Sequence, residues 1–324
     1  EIFNETIGQH GNWKGLGAGH IIAVWLAYIL STGDHRKSRL QEWAAERGHS
    51  LQHSLGAGEI RELDFTDDRL GIILQELSDV GVWQRSEREI NRRIISVYEL
   101  EGEVARIDTT TASSYGEVTE EGLLQFGYSK DRRPELGQVK IASVTLDPLG
   151  LPLVTIPVSG EEADDGMYIP AIEEARKSIG GKQVMYVGDS KMGSFETRSY
   201  IAGQGESYLM PLSKKQVNEE TMLGYLEEFE VRAEEEGEWE KVVIVDEKGE
   251  ERLIAEGFTV EVVHREEGEE GRREWKERRF MVLSPEYAGK QRTQLEKKIE
   301  KAEAALKELV RRRQGYHYPK STEE

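Results

Sequence analysis

A chain of 324 residues can bury a sizeable core and, at about 100 to 200 residues per domain, should hold two or three structural units. Cys is absent, which excludes disulfides, thiolate metal sites and cysteine nucleophiles together. The net charge of -19 argues at first sight against a nucleic-acid partner, yet 22 Asp and Glu against 10 Lys and Arg lie between Glu219 and Arg279, so 12 of the excess negative charges fall in one segment.

The longest apolar stretch, Ile21 to Leu30, has about half of the roughly twenty residues that a bilayer span needs, and no secretory leader precedes it. A soluble, cytoplasmic protein with no membrane partner is expected. The chain begins at Glu1 rather than Met, and its end after Tyr316 has no obvious closing element, so a piece of a longer protein is expected.

Residues 1–102 read as a helical N-terminal region. Ile21 to Leu30 is a buried-helix candidate, Asp67 after Thr66 can cap a helix through Leu70, Ile73, Leu74 and Leu77, and Ser86 can cap Glu87 to Leu100. Arg85, Arg88, Arg92 and Arg93 share that last helix with Ile90, Ile94 and Val97. A basic amphipathic helix of this kind either lies along DNA or is an ordinary solvent-facing helix.

Residues 103–212 change to short apolar runs. Val104 to Ile107, Val139 to Leu146 and Leu151 to Val158 are strand candidates, the last two joined by the turn Asp147-Pro148-Leu149-Gly150. A helix through Tyr168, Ile169, Ile172 and Ala175 stops at Gly180-Gly181, Val184 to Val187 forms a buried strand, Ser194 caps a further helix, and Tyr208 to Met210 makes another strand. This order predicts an α/β fold with a mixed sheet flanked by helices. Residues 213–282 predict a β-rich acidic insertion with runs at 242–245, 252–254, 258–263 and 279–283. Residues 283–324 carry a helix from about Pro285 to Arg313, whose Leu295, Ile299, Ala302, Leu306 and Leu309 recur at steps of four and three.

Asp108 and Asp189 each follow an apolar run, Val104-Ala105-Arg106-Ile107 and Val184-Met185-Tyr186-Val187-Gly188. A strand packed in the core holds its end rigidly, so two neighbouring strands can bring two carboxylates to a common divalent ion. Hard oxygen ligands without Cys or paired His favour Mg2+ or Mn2+ over zinc. Either aspartate alone also fits a turn or a cap. Glu296, one turn after Arg292 and one turn before Glu300, is a third candidate that pattern alone would assign to a surface ion pair. The His residues show no ligand spacing, and Gly15-Leu16-Gly17-Ala18-Gly19 has no strand before it to make a dinucleotide site.

Three stretches together resemble the DDE transposases of bacterial and archaeal insertion sequences: Arg106-Ile107-Asp108-Thr109-Thr110-Thr111, then Gly127 to Val139 with Ser129-Lys130-Asp131-Arg132-Arg133-Pro134, then Val187-Gly188-Asp189-Ser190-Lys191-Met192. The likeness extends from roughly Gly19 to Leu309, and is narrowest to the group whose RNase H-like core is interrupted by a β-rich insertion before the catalytic Glu. It implies that Asp108 and Asp189 are the first two carboxylates of a triad and that the third, Glu296, lies on the helix after the insertion, with Glu300 as its rival. In the family this helix often carries Tyr, Arg, Glu and Lys at fixed spacing. Here Arg292 and Glu296 keep the gap, Tyr287 is two positions too distant, and Glu303 stands where a Lys is expected.

The resemblance further implies two Mg2+ or Mn2+ ions, cleavage at element ends, strand transfer into target DNA, and a homodimer acting on paired terminal repeats. Lys130, Arg132, Arg133 and Arg292 are the DNA-contact candidates. The competing readings are an RNase H-like nuclease that does not join strands, and a catalytically inactive DNA-binding or assembly remnant.

Overall fold

The computed structural model describes residues 1–8, 13–56, 60–129, 132–236, 240–245, 249–268 and 271–310. They fall into two units, residues 1–216 and 217–324.

The first unit opens with helices α1 (Ile2–Thr6), α2 (Ala18–Thr32), α3 (Lys37–Ala45), α4 (Gly48–Leu55), α5 (Asp67–Ser78) and α6 (Val80–Val97). Their apolar faces converge on a core of Ile7, Ile21, Val24, Leu40, Phe65, Leu70 and Ile73. Both expected caps move, one by a single residue and the other by two helical turns. The Thr66 hydroxyl, not Asp67, accepts the Arg69 N–H, so Asp67 is the first helical residue of α5. Asp79 accepts the Val82 N–H at 2.8 Å and starts α6, whereas Ser86 is buried two turns further on and donates to the Val82 carbonyl. A Ser inside a helix satisfies its hydroxyl in this way, and the acidic side chain at Asp79 takes the capping position.

The sheet comprises β1 (Val104–Ser114), β2 (Gly137–Leu146), β3 (Leu151–Ser159), β4 (Met185–Gly188) and β5 (Ser207–Leu209), in the spatial order β3-β2-β1-β4-β5. The first three strands are antiparallel neighbours, joined at Asp147–Gly150 by the expected hairpin turn; β4 and β5 add parallel to β1. Between β3 and β4 lies α7 (Tyr168–Ile179), closed by Gly180 in the left-handed region at φ 75°, and between β4 and β5 lies α8 (Phe195–Gly203), capped by Ser194 as expected. The result is an RNase H-like mixed sheet with flanking helices. Period-two burial along β1 and β2 turns Ala105, Ile107, Ala142, Val144 and Leu146 toward α7, whose Tyr168, Ala171, Ile172, Ala175 and Ile179 recur at helical spacing.

β3 is an edge strand, and α6 covers it with side chains one turn apart. Trp83 Nε1 donates to the Thr155 carbonyl at 3.2 Å, Glu87 Oε2 accepts the Thr155 N–H at 3.1 Å, and Asn91 Nδ2 donates to the Leu153 carbonyl at 2.8 Å. Unpaired edge groups are thereby satisfied inside the unit. Three of the four α6 arginines are similarly engaged: Arg88 pairs with Glu174, Arg92 donates to the Lys177 carbonyl, and Arg93 pairs with Glu1 and Glu89. Through these contacts the helix ties the helical core to the sheet.

The second unit contains α9 (Glu219–Glu236), β6 (Glu240–Val245), β7 (Glu251–Gly268), β8 (Gly271–Leu283) and α10 (Pro285–Val310). Its antiparallel sheet has the order β6-β7-β8. The runs expected at 252–254 and 258–263 are one long strand, β7, and the run at 279–283 is the end of β8. The helix α9, where strands alone were anticipated, is capped by Asn218 and rests on the sheet through Phe229 stacked on Phe258 at 4.1 Å and Tyr225 bonded to Arg279. On α10, Leu295, Ile299, Leu306 and Leu309 are exposed. Its expected end near Arg313 lies outside the described residues. Among the described residues no helix is long and apolar enough to cross a membrane.

Candidate active site

In the parallel ladder of β1 on β4, Val104 pairs with Met185, Ala105 with Tyr186, Arg106 with Val187 and Ile107 with Gly188. The residues that follow the last pair are Asp108 and Asp189. Adjacent strands run about 4.8 Å apart, so this register makes the two aspartates neighbours across the sheet.

Asp108 was expected at a strand end and instead lies inside β1, which continues to Ser114 along β2. Thr109, Thr110 and Thr111 extend the strand because branched side chains suit a pleated surface. Asp108 is exposed on the face opposite Ile107 and Thr109, and its Oδ1 accepts the Thr109 N–H at 2.8 Å.

Asp189 is the first residue beyond β4. Its Oδ1 accepts from the Tyr168 hydroxyl at 3.0 Å, the Lys191 N–H at 2.9 Å and the Met192 N–H at 3.4 Å. Tyr168 is buried at the start of α7, and burial, with the Asp189 charge beside it, pushes its phenol well above the usual tyrosine range. The phenol is therefore a protonated donor at any working pH. The turn that carries Asp189 is pinned further on: Gln216 Nε2 donates to the Ser190 carbonyl and the buried Arg198 donates to the Gly193 carbonyl.

Beside it stands a charged cluster. Asp164, buried before α7, lies 3.0 Å from the Lys140 ammonium of β2 and also takes an ion pair from Lys191. Burial pushes the Asp164 carboxyl up, but the bonds from Lys191 and Lys140 outweigh it and hold the group below the ordinary carboxylate range. Lys140 itself is buried on the α7 face of β2.

Of the DNA-contact candidates, Lys130 lies outside the described residues. Arg132 sits at a positive φ of 59°. Arg133 pairs with Glu135 and donates to the Tyr115 hydroxyl at 3.1 Å. The described residues before position 130 pack against the buried Gln138, which donates to the Tyr128 and Gly160 carbonyls. A Cβ on Gly127 would lie 2.2 Å from the Gly160 oxygen, so glycine is required there. Arg292, Glu296 and Glu300 belong to the other unit. On α10, Arg292 pairs with Glu296 at 3.4 Å, both largely exposed, and Glu300 is exposed one turn on.

Among the described residues, no three His, Asp or Glu side chains form a metal-holding group. The donor set that follows the last β1–β4 pair is nonetheless composed of hard oxygen atoms, and Asp189 Oδ2 takes none of the hydrogen bonds described. Mg2+ is commonly held by one or two carboxylates completed by water and substrate phosphate oxygens, so two aspartates fit it. Thr109, Tyr168, Lys140, Asp164 and Lys191 were not foreseen as part of this region. The one sequence signal was Lys140, a cation in line with the inward residues Ala142, Val144 and Leu146 of β2.

No protein-family model matches the chain, and no curated protein matches it. Among solved structures, it is similar to the Mos1 transposase in a paired-end complex with the left transposon end, at 9% identity and a TM-score of 0.24, over 68% of this chain and 73% of that one. It is also similar to the piggyBac transposase in a synaptic complex with hairpin DNA, at 12% identity and a TM-score of 0.29, over 64% of this chain and 45% of that one. A Mos1 strand transfer complex gives 10% identity and a TM-score of 0.23, over 68% and 67%. At these values the likenesses assign no residue correspondence.

Proposed function

We propose that the chain is the catalytic part of a DDE-type DNA transposase, with Asp108, Asp189 and Glu296 as its metal-binding carboxylates. The observation that carries this reading is the register of β1 on β4, which sets Asp108 and Asp189 immediately after the last shared pair in a sheet of order β3-β2-β1-β4-β5. The motif stretches around both aspartates, and the absence of competing thiolate or imidazole chemistry, support it.

When bound, two Mg2+ or Mn2+ ions supply Lewis-acid activation of a scissile phosphate and of the attacking oxygen. The chain's own residues do the rest. Asp108 and Asp189 offer oxygen ligands on backbones fixed by the sheet. Lys130, Arg132, Arg133 and Arg292 supply positive charge for backbone phosphates. Cleavage at an element end and strand transfer are both in-line displacements at phosphorus, so one site serves both, and a homodimer joins two ends. In the same reading residues 1–102 contribute to DNA binding, 103–212 form the first part of the catalytic core, 213–282 are an insertion, and 283–324 complete the core with the third carboxylate.

The test is nicking and strand joining with Mg2+ or Mn2+ on duplexes taken from the sequences that border the gene. Each carboxylate variant, Asp108→Asn, Asp189→Asn and Glu296→Gln, is expected to lose about a thousandfold in rate, the equivalent of several kcal/mol of transition-state stabilisation. Cleavage without joining selects a nuclease, and metal-dependent activity that survives both aspartate substitutions overturns the assignment. A loss in Glu300→Gln with an intact Glu296→Gln moves only the third ligand.

A further inference from the structure

The hydrogen bonds to Asp189 are lopsided. Three donors, the Tyr168 hydroxyl and the N–H groups of Lys191 and Met192, all address Oδ1, and no described hydrogen bond reaches Oδ2. The two N–H groups come from the turn itself and accompany any aspartate that caps it. Tyr168 is different in kind, because it comes from another element, 21 residues away in sequence, and brings a hydroxyl into the core at 1% exposure. A Phe would fill that position equally well for packing alone. The side chain of Thr109, the residue next to Asp108 on β1, neighbours the Tyr168 hydroxyl and opposes the rise in its pKa. The Tyr168 hydroxyl thus lies between the strand that carries one aspartate and the carboxylate of the other, to which it donates.

We propose that Tyr168, with Thr109 beside it, is a positioning residue that fixes the rotamer of Asp189 so that Oδ2 is presented as a ligand for a divalent cation; this rests on the reading of Asp108 and Asp189 as a cation site. A carboxylate bonded through one oxygen to a fixed donor loses its rotational freedom before the cation arrives, which is the usual contribution of a partner behind a metal ligand. Neither Tyr168 nor Thr109 touches the cation or the DNA in this scheme.

The experiment is titration of the full chain with Mn2+, followed by calorimetry and by the electron paramagnetic resonance of the free ion. The proteins compared are wild type, Tyr168→Phe, Thr109→Val and Asp189→Asn, each with its thermal unfolding midpoint. Tyr168→Phe is expected to bind Mn2+ about ten- to a hundredfold more weakly. Thr109→Val should show a smaller weakening in the same direction, and Asp189→Asn should lose the site. Nicking should require correspondingly more Mg2+ for half-maximal rate while the rate at saturating metal is kept. If Tyr168→Phe unfolds early, Thr109→Val decides the matter through the same binding curve. Wild-type affinity in both variants, with loss in Asp189→Asn, overturns the positioning role and leaves the cation site standing. Failure of the wild type to bind Mn2+ any better than Asp189→Asn overturns the site reading itself.

Discussion

Ile107 and Gly188 form the last rung of the parallel ladder between β1 and β4, and the residue after each is an aspartate. Gly188 is needed in this rung for a local reason. A Cβ there would lie 2.6 Å from the sulfur and 3.1 Å from the Cβ of Met192, which is fully buried.

Gly188→Ala should therefore force the Met192 side chain aside and displace the turn that carries Asp189. The expected cost is about 1 to 3 kcal/mol of stability, the usual range for overpacking a filled core. A second substitution, Met192→Ala, opens the space, so the double variant should lose less than the sum of the two single losses. Strict additivity in thermal unfolding would show that the contact does not govern the position.

Asp164 bridges Lys140 and Lys191 on the same side of the sheet, and its folded pKa lies below the unfolded value of about 3.8. Such a group stabilises the fold at every pH above its unfolded value and loses that contribution as pH falls through the folded value. Asp164→Asn should thus lower the unfolding midpoint at pH 7, and the deficit should close once the pH drops below the ordinary carboxylate range. A deficit of constant size down to pH 2 would show that the carboxyl acts through packing rather than charge.

Several elements were legible because local chemistry alone dictates them. Asp147-Pro148-Leu149-Gly150 reads as a turn from its residue types, Gly180 as a helix stop from its freedom at positive φ, and the strand and helix runs of 103–212 from their periodicity. What escaped depended on partners distant in sequence. Asp108 looked terminal because the residues after Ile107 are polar, yet pairing with β2 continues through Ser114. Tyr168 looked like one more apolar residue on α7, since nothing in its neighbours announces a carboxylate 21 positions later. Ser86 and Asp79 are both cap residue types, so residue identity alone does not choose between them. The acidic helix α9 was missed because Glu-rich segments between strands resemble solvated turns, although Glu, Leu and Met are all good helix formers.

The Asn91 side chain, at 2% exposure, donates to the Leu153 carbonyl of the edge strand β3. Asn91→Leu keeps the volume but leaves that carbonyl without its donor, which should cost about 1 to 3 kcal/mol. Chemical denaturation at pH 7 measures it directly. A neutral outcome would mean that water reaches the β3 edge behind α6.

Glu87 occupies the same edge from the turn before, where it accepts the Thr155 N–H at 3.1 Å. Burial is the largest influence on it and raises its pKa; the Thr155 hydrogen bond opposes this and nearby Glu174 adds to it, so the folded value lies above the ordinary 4.5. The sign is the reverse of Asp164. The stabilisation associated with Glu87 is complete below pH 4.5, where the group is protonated in both states, and is lost as pH rises through the folded value, because ionisation is easier in the unfolded chain. Glu87→Gln retains an oxygen to accept the Thr155 N–H and carries no charge. It should unfold at a higher temperature than wild type at pH 7, with the two curves drawing together as pH is lowered toward 4. A variant less stable than wild type at pH 7, by an amount that does not change with pH, would mean that the charged carboxylate is the better partner for β3 and that burial does not control this edge.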